Sequence, residues 1–559
     1  MNITGRVIIV VLVSFAGLAL QTARAQTLYW SANASTAGGS GIWDTNPSNP
    51  ARWGTALGGP FNIVWNNSLN FSNIAQFSGT AGTVTVDPAG VNARRIQVTV
   101  SGYTLQGGKI TSDQVNNGFI IEKTAVNAVT INNDFDIVSN GTYNVRIRNT
   151  GTVTIPLTIG GNYKLGTASG GTRYLDLEGT GVNGSRIDFT GALLDTAGST
   201  VRLRLGNAST NASVYNLSGN STYGGGTEVV RGTVNISSAN AVGSGGVQLA
   251  TGSTAAGDTV RVFVSGGINL SNPFSTATAS GGGAVTAVLG KDTGDTSTST
   301  LSGNINLNSD STSLEIRVTE AAARINVTGL VTDGAGTRPL TKTGAGVLNL
   351  ARPLGNTYDG TTFINAGTLL VNNTSGSATG TGALQLSAGA TLGGTGLVSG
   401  AVTTLGVTSS FSPGNAGTLT IGKLTTGGGN WTQGATLRLE LGSALTPGIT
   451  YDQLAMTGSL TGPSGTGLLN LELTEVGSVD FGVPYTLFTF TSQTGLDYSD
   501  ITFLSLPAPL DPGFGQGGML ITSSGFQVQF IIPEPSIAGL LLGGWAIVTL
   551  ARRHKMRTR

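Results

Sequence analysis

Cysteine is absent from the 559 residues, and histidine occurs once, as His554. The first absence excludes disulfides, thiolate nucleophiles, iron–sulfur centres and Cys-type zinc sites. The second excludes a His-based triad or a His-rich metal site within one chain. No cofactor and no metal site is expected. Charge is scarce as well: 10% of residues are Asp, Glu, Lys or Arg, and the formal balance is +1. That balance hides an asymmetry. Arg6 and Arg24 lie in the first 25 positions and five basic residues in the last eight, against one acid, Glu534. The body between them holds 22 basic and 27 acidic residues, which disfavours nucleic acid as a partner, because phosphate binding needs a positive footprint.

Glycine is what the chain has in excess, 87 residues against 17 prolines. Together they stay below the roughly 25–30% that marks a low-complexity disordered chain. The body has no amphipathic helical stretch of any length. Its apolar residues instead recur every second position, as in Thr83-Val84-Thr85-Val86, Val98-Thr99-Val100 and Thr152-Val153-Thr154-Ile155. Short β-branched runs bounded by Gly, Asn or Asp predict strands and turns, hence an all-β fold.

The N-terminus has Arg6, the apolar run Val7 to Leu20, then Ala23-Arg24-Ala25. This is the layout of a secretory signal peptide over 1–25, with cleavage after Ala25 leaving Gln26 first. At the other end, Pro533-Glu534-Pro535 stops the preceding strand, since proline lacks an N–H and fixes φ. An uncharged run from Ile537 to Ala551 comes next. Ile537, Leu540, Leu541, Leu542, Trp545, Ile547, Val548 and Leu550 supply its apolar surface. As a helix it would be roughly 22 Å long, short of the ~30 Å hydrocarbon core. Arg552, Arg553, Lys555, Arg557 and Arg559 can snorkel and hold the end on the cytoplasmic side, which gives a marginal transmembrane helix. Residues 531–559 resemble the PEP-CTERM sorting tail, with Ile532 where valine is commoner. That resemblance implies export by a Gram-negative bacterium, inner-membrane retention and processing by an exosortase-type enzyme. It also implies a setting of exopolysaccharide and biofilm.

An internal repeat runs through the body. Asn220, Tyr223, Gly226 and Gly232 are echoed by Asn356, Tyr358, Gly360 and Gly367, and in both copies the last glycine lies nine positions after the tyrosine. Leu340-Thr341-Lys342-Thr343-Gly344-Ala345-Gly346 precedes the second copy, and Ala388 to Gly396 and Ser412-Pro413-Gly414-Asn415 come after it. These residues resemble the autotransporter-associated β-strand repeat, also called the passenger-associated transport repeat, closely over 340–421 and more weakly over 215–236. The resemblance implies a right-handed parallel β-helix. Coils of roughly 20–25 residues stacked ~4.8 Å apart would make about 15 turns over 75–430. Stacked Thr and Asn could then hydrogen-bond from coil to coil.

Five segments alternate aliphatic and charged residues, among them Val145-Arg146-Ile147-Arg148, Leu175-Asp176-Leu177-Glu178 and Val201-Arg202-Leu203-Arg204. Alternation places the charges on a solvated outer face. The tryptophan-rich opening, 26–74, is expected to cap the solenoid. Residues 431–530 are expected to form either a small β-sandwich-like cap or last coils carrying hairpins. The functional expectation is a surface or matrix scaffold of adhesin-like character, meeting exopolysaccharide or other surface components. Two alternatives remain open: a polysaccharide lyase or hydrolase on a β-helix, with Asp176, Glu178, Asp292 and Asp295 as the carboxylates to examine, and a permanently membrane-anchored envelope protein.

Overall fold

The computed structural model describes residues 26–531, apart from 69–71, 115–117, 167–169, 208, 309–311, 335, 416–418 and 464–467. Of the expected cleavage site only Gln26 falls within this range; Ala23, Ala25, the Pro533-Glu534-Pro535 motif, the apolar run and the basic end lie outside it. Among the described residues no helix is long and apolar enough to cross a membrane, and the only helical turns are two of three residues.

The period of two is realised as strand alternation. In Tyr143–Asn149 every second side chain is buried, beginning with Tyr143. Strands so patterned pair in parallel with the strand one coil on: Val145 lies opposite Leu175, and Leu175 opposite Leu203. The chain thereby winds into a parallel β-helix with three faces. The first face runs from Gln26–Trp30 to Val331–Thr332. The second begins at Gly41–Trp43 and continues through the whole body. It forms one long open face, because among the described residues no pairing joins its first strand to its last. The third is a ladder from Val91–Asn92 to Leu193–Leu194, interrupted, and resumed from Asn269–Leu270 to Ile501–Ser505.

Coil lengths vary more than the repeat suggests, from 18 residues (Leu384 opposite Val402) to 47 (Gln26 opposite Asn73). The register of the strands is kept, and loops at the corners absorb the difference. The ladder also extends past both expected solenoid boundaries. Gln26–Trp30 already pairs in parallel with Asn73–Phe77, and Ala435–Leu441, Leu469–Glu475 and Ile501–Ser505 pair in parallel with one another. After these coils, Met519–Ile521 and Gly525–Gln529 form an antiparallel hairpin laid on Pro484–Thr489.

Inward side chains of successive coils stack in columns. Phe135 and Tyr163, opposite each other in register, have ring centroids 5.4 Å apart and nearly parallel planes. Leu193 takes the next place in the column, while the Phe189 ring of the second face meets Tyr163 at 5.5 Å, tilted by 53°. Outward amides form a ladder as well. Asn372 Nδ2 donates to Asn349 Oδ1 at 2.9 Å, and Asn349 Nδ2 to Asn326 Oδ1 at 3.0 Å. One end is closed by aromatics: Trp30, Trp43, Trp53 and Trp65 are all at most 1% exposed, and their rings lie 4.7–5.3 Å apart.

Candidate functional site

Among the described residues, a dense array of chemically capable side chains lies on the first face, where six adjacent strands between Arg95 and Val229 carry charges at outward positions. Register brings them together. Arg146 lies opposite Asp176, Asp176 opposite Arg204, and Arg204 opposite Glu228, so charge alternates along the column. The neighbouring column sets Gln97, Glu122, Arg148 and Glu178 in line. Arg204 grips Asp176 with two hydrogen bonds, Nε to Oδ1 at 2.9 Å and a terminal nitrogen to Oδ2 at 2.7 Å. Arg148 donates twice to Glu178 Oε2, at 3.0 and 2.8 Å, and Arg146 lies 3.5 Å from Oε1. Arg202 meets Glu228 at 3.0 Å and Arg95 meets Glu122 at 3.3 Å.

The expected solvated face is corrected here. Asp176 and Glu178 point outward, as the alternation requires, yet both are fully buried. The reason is a second layer of side chains. The guanidiniums of Arg146 and Arg148 both lie 4.1 Å from the Phe119 ring centroid, and that of Arg204 lies 4.7 Å from the Tyr174 ring. Long arginine stems and two aromatic rings roof the carboxylates, adding cation–π attraction to the ion pairs. A carboxylate held in two charge-assisted hydrogen bonds under such a roof is poorly placed to move a proton to or from a substrate.

The other carboxylates singled out fare similarly. Asp295 accepts from Lys291 Nζ at 2.7 Å and from Ser297 at 2.6 Å. Burial opposes its ionisation, but these hydrogen bonds prevail and bring its pKa down to about 2. It is the counter-ion of a buried lysine. Asp292 accepts the Thr293 N–H in the same turn.

The repeat motif is structural. Tyr223 and Tyr358 are fully buried, and their hydroxyls meet Thr227 Oγ1 at 2.5 Å and Thr362 Oγ1 at 2.7 Å. Asn356 joins three coils: Oδ1 accepts the Val331 N–H at 2.9 Å and Nδ2 donates to the Ala378 carbonyl at 2.6 Å. Counted from the tyrosine, its counterpart is Ser221, whose Oγ accepts the Leu193 N–H at 3.1 Å. Asn220, expected to match Asn356, is exposed and bonds to Asn240 instead, so the pairing of those two asparagines is corrected. Gly226, Gly232 and Gly367 occupy the left-handed region, while a side chain at Gly360 would run into the Arg338 carbonyl.

Two features are not predicted by the sequence patterns. One is a set of buried lysines at strand ends. Lys342 Nζ donates to the carbonyls of Thr343, Gly344 and Ala366 at 2.8, 2.8 and 3.1 Å. Lys123 reaches the Ala125 carbonyl and Asn149 Oδ1. Alternation held the signal, since Leu340 and Lys342 must face the same way. The other is Asp452, fully buried, whose oxygens accept the N–H groups of Gly422 and Glu440 at 2.6 and 2.9 Å. Burial first, and the adjacent Glu440 carboxyl second, hold Asp452 well above the usual carboxylate range. This pair of acids lies inside the last coils, not at a cleft.

Lys342 supplies a pH prediction. Burial pulls its pKa from 10.5 down to about 7. Between those values the unfolded chain keeps a proton that the folded chain has released, so the group makes stability rise with pH, by up to about 1.4 kcal/mol per unit. Lys123, pulled down to about 8, acts in the same direction. Asp452, raised, acts oppositely over that window. The isolating measurement is therefore a difference: urea midpoints at pH 7, 8 and 9 for the protein and for Lys342→Met. The parent should gain more stability per pH unit than the variant, and equal slopes would contradict the assignment.

Comparison with known proteins agrees with this geometry. Residues 210–236 and 340–371 match the family described as Passenger-associated-transport-repeat, the stretches that hold the two tyrosine-centred corners. Over 93 residues the chain is 39% identical to the "Adhesin BmaC autotransporter" of Brucella suis biovar 1 (strain 1330). That stretch is 16% of this chain and 3% of the relative, so this chain spans a small fraction of that protein's length. At both tyrosine-centred corners, then, this β-helix carries passenger-associated transport repeats.

Proposed function

We propose that this chain is an exported, adhesin-like scaffold of the cell surface or extracellular matrix, a right-handed β-helix that displays its outer faces to exopolysaccharide or other surface components. In this reading the first 25 residues are removed on export. The tail then holds the chain in the inner membrane until an exosortase-type enzyme acts at the Pro533-Glu534-Pro535 region. The observation that carries the proposal is the use of charge along the coil. The outward carboxylates are engaged by arginines of adjacent coils, as Asp176 is by Arg204 and Glu178 by Arg148, which suits a durable surface better than acid–base chemistry. The repeat matches and the likeness to an adhesin support the same reading. The chain is accordingly proposed not to be an enzyme.

Intact mass and fractionation of the native protein from its own host test the proposal. Mature protein in the matrix or medium, lacking the first 25 residues and everything beyond the Pro533-Glu534-Pro535 region, is the expected result. A full tail persisting in inner-membrane fractions would make the chain a permanently anchored envelope protein and would remove the exosortase step.

A further inference from the structure

The coil closes differently at its two ends. The tryptophan end buries its four rings and leaves two large apolar side chains, Ile42 and Leu57, about half exposed. Around the last coils, large apolar side chains stand in water: Leu445 is 79% exposed, Ile449 74%, Leu504 54%, and Phe481, Val483 and Leu506 just over 40% each. Elsewhere along the body such side chains come singly, as at Val126, Val182 and Leu354. The segments that carry the six residues are tied together. The Ala444 N–H donates to Asp480 at 2.8 Å, the Gly482 N–H to the Phe530 carbonyl at 2.9 Å, and the Ile531 N–H to the Pro509 carbonyl at 3.0 Å. The point on which they converge is Ile531, the last described residue of the chain.

The residues beyond Ile531 decide what can cover this surface. The uncharged run begins at Ile537, six residues on. Six residues fully extended reach about 20 Å. With that run in a bilayer, the end of the coil stands within that distance of the headgroups, and its exposed apolar side chains face them. Large apolar side chains exposed together on linked segments cost free energy in water and mark a contact site. Burial of Phe and Leu at the headgroup boundary relieves that cost. We propose that Leu445, Ile449, Phe481, Val483, Leu504 and Leu506 form a membrane-resting surface, by which the anchored protein sits on the outer leaflet of the inner membrane with its coil projecting away. The inference rests on the tail-anchoring reading above. The charged groups on these segments are the acids Glu475, Asp480 and Asp511, with one exposed base, Lys423, against Gly448, so the contact is apolar and does not require anionic lipid.

The absence of cysteine makes the test clean. Single variants Phe481→Cys, Ile449→Cys, Val182→Cys and Trp545→Cys of the chain from Gln26 to Arg559, each labelled with one environment-sensitive dye, are placed in phosphatidylcholine nanodiscs with and without brominated acyl chains. Dyes on Phe481→Cys and Ile449→Cys should be quenched about twofold by bromine, as for a group ~5–10 Å deep at the headgroup boundary, and the dye on Val182→Cys should not. If the first two stay unquenched while that on Trp545→Cys is quenched, the resting surface is wrong and the anchor stands. If the dye on Trp545→Cys is also unquenched, both fail. Shielding of the first two dyes in a lipid-free dimer would overturn the proposal in favour of a second copy of this chain.

Discussion

Gly191→Val should unstack the coil in its middle, at a cost of about 3 kcal/mol or more, although it touches no charged group and removes none. The reason is a column of glycines at one corner. A Cβ on Gly161 would overlap the Asn133 carbonyl, one on Gly191 the Gly161 carbonyl, and one on Gly219 the Gly191 carbonyl. The obstacle in each case is backbone of the preceding coil, which has no rotamer to change. Relief requires the coils to move apart, and that breaks the adjoining ladders, where Arg186–Phe189 pairs with Pro156–Ile159 and with Val214–Leu217. In a stacked-coil protein stability is close to a sum of neighbouring interfaces, so the damage is local. Hydrogen exchange should show lost protection in those three strands and retained protection in Lys423–Asn430. Gly257→Ala is the control: its φ is +80° and nothing lies within 4 Å of a Cβ there, so only the left-handed conformation is penalised, by about 1–2 kcal/mol. Unchanged protection in Gly191→Val would mean that the corner has room the geometry does not show.

That glycine column also marks what the sequence could not convey. Strands, their inward sides and the tyrosine corners are legible because they depend on residues two to nine positions apart: Thr83–Val86 alternates as written, and Tyr223 and Tyr358 each bond four residues on. Contacts between coils depend on residues 18 to 47 positions apart, with a spacing that is not constant along the chain. Outward placement of Glu178 can be read from Leu175-Asp176-Leu177-Glu178. Its burial cannot, because that needs Arg148, thirty residues earlier, in the adjoining rung, and Phe119 above it. Asn220 aligns with Asn356 in sequence for the same reason. The first copy has one residue more before its tyrosine, and only the shared partner position, Leu193 N–H in one copy and Val331 N–H in the other, reveals Ser221 as the equivalent. The buried lysines are a different case. Lys342 stands at an inward position, and its burial makes sense once three carbonyls at the strand end need donors.

Trp53→Ala should fray the first coils and leave the rest standing. Trp53 is 1% exposed, and its ring lies 5.3 Å from Trp30, 5.2 Å from Trp43, 4.7 Å from Trp65 and 5.8 Å from Phe77. Truncating a buried tryptophan costs about 3–5 kcal/mol, through lost transfer energy and the cavity left behind. Here the cost falls on the coil that has a neighbour on one side only. Its strand, Trp53–Gly54, lies antiparallel on Gln26–Trp30 and covers the open edge of the first face. Without the ring, that edge loses its cover and the inward side chains of Asn73–Phe77 face a partly empty end. Amides of Gln26–Trp30, Asn73–Phe77 and Arg95–Val98 should exchange faster, while those of Tyr143–Asn149 onward keep their protection. Retained protection at Asn73–Phe77 would show that Trp30, Trp43 and Trp65 close the end without Trp53. Loss of protection along the whole chain would say something larger: the coils would then fold as one cooperative body, and the nearest-neighbour behaviour expected around Gly191 would fail with it.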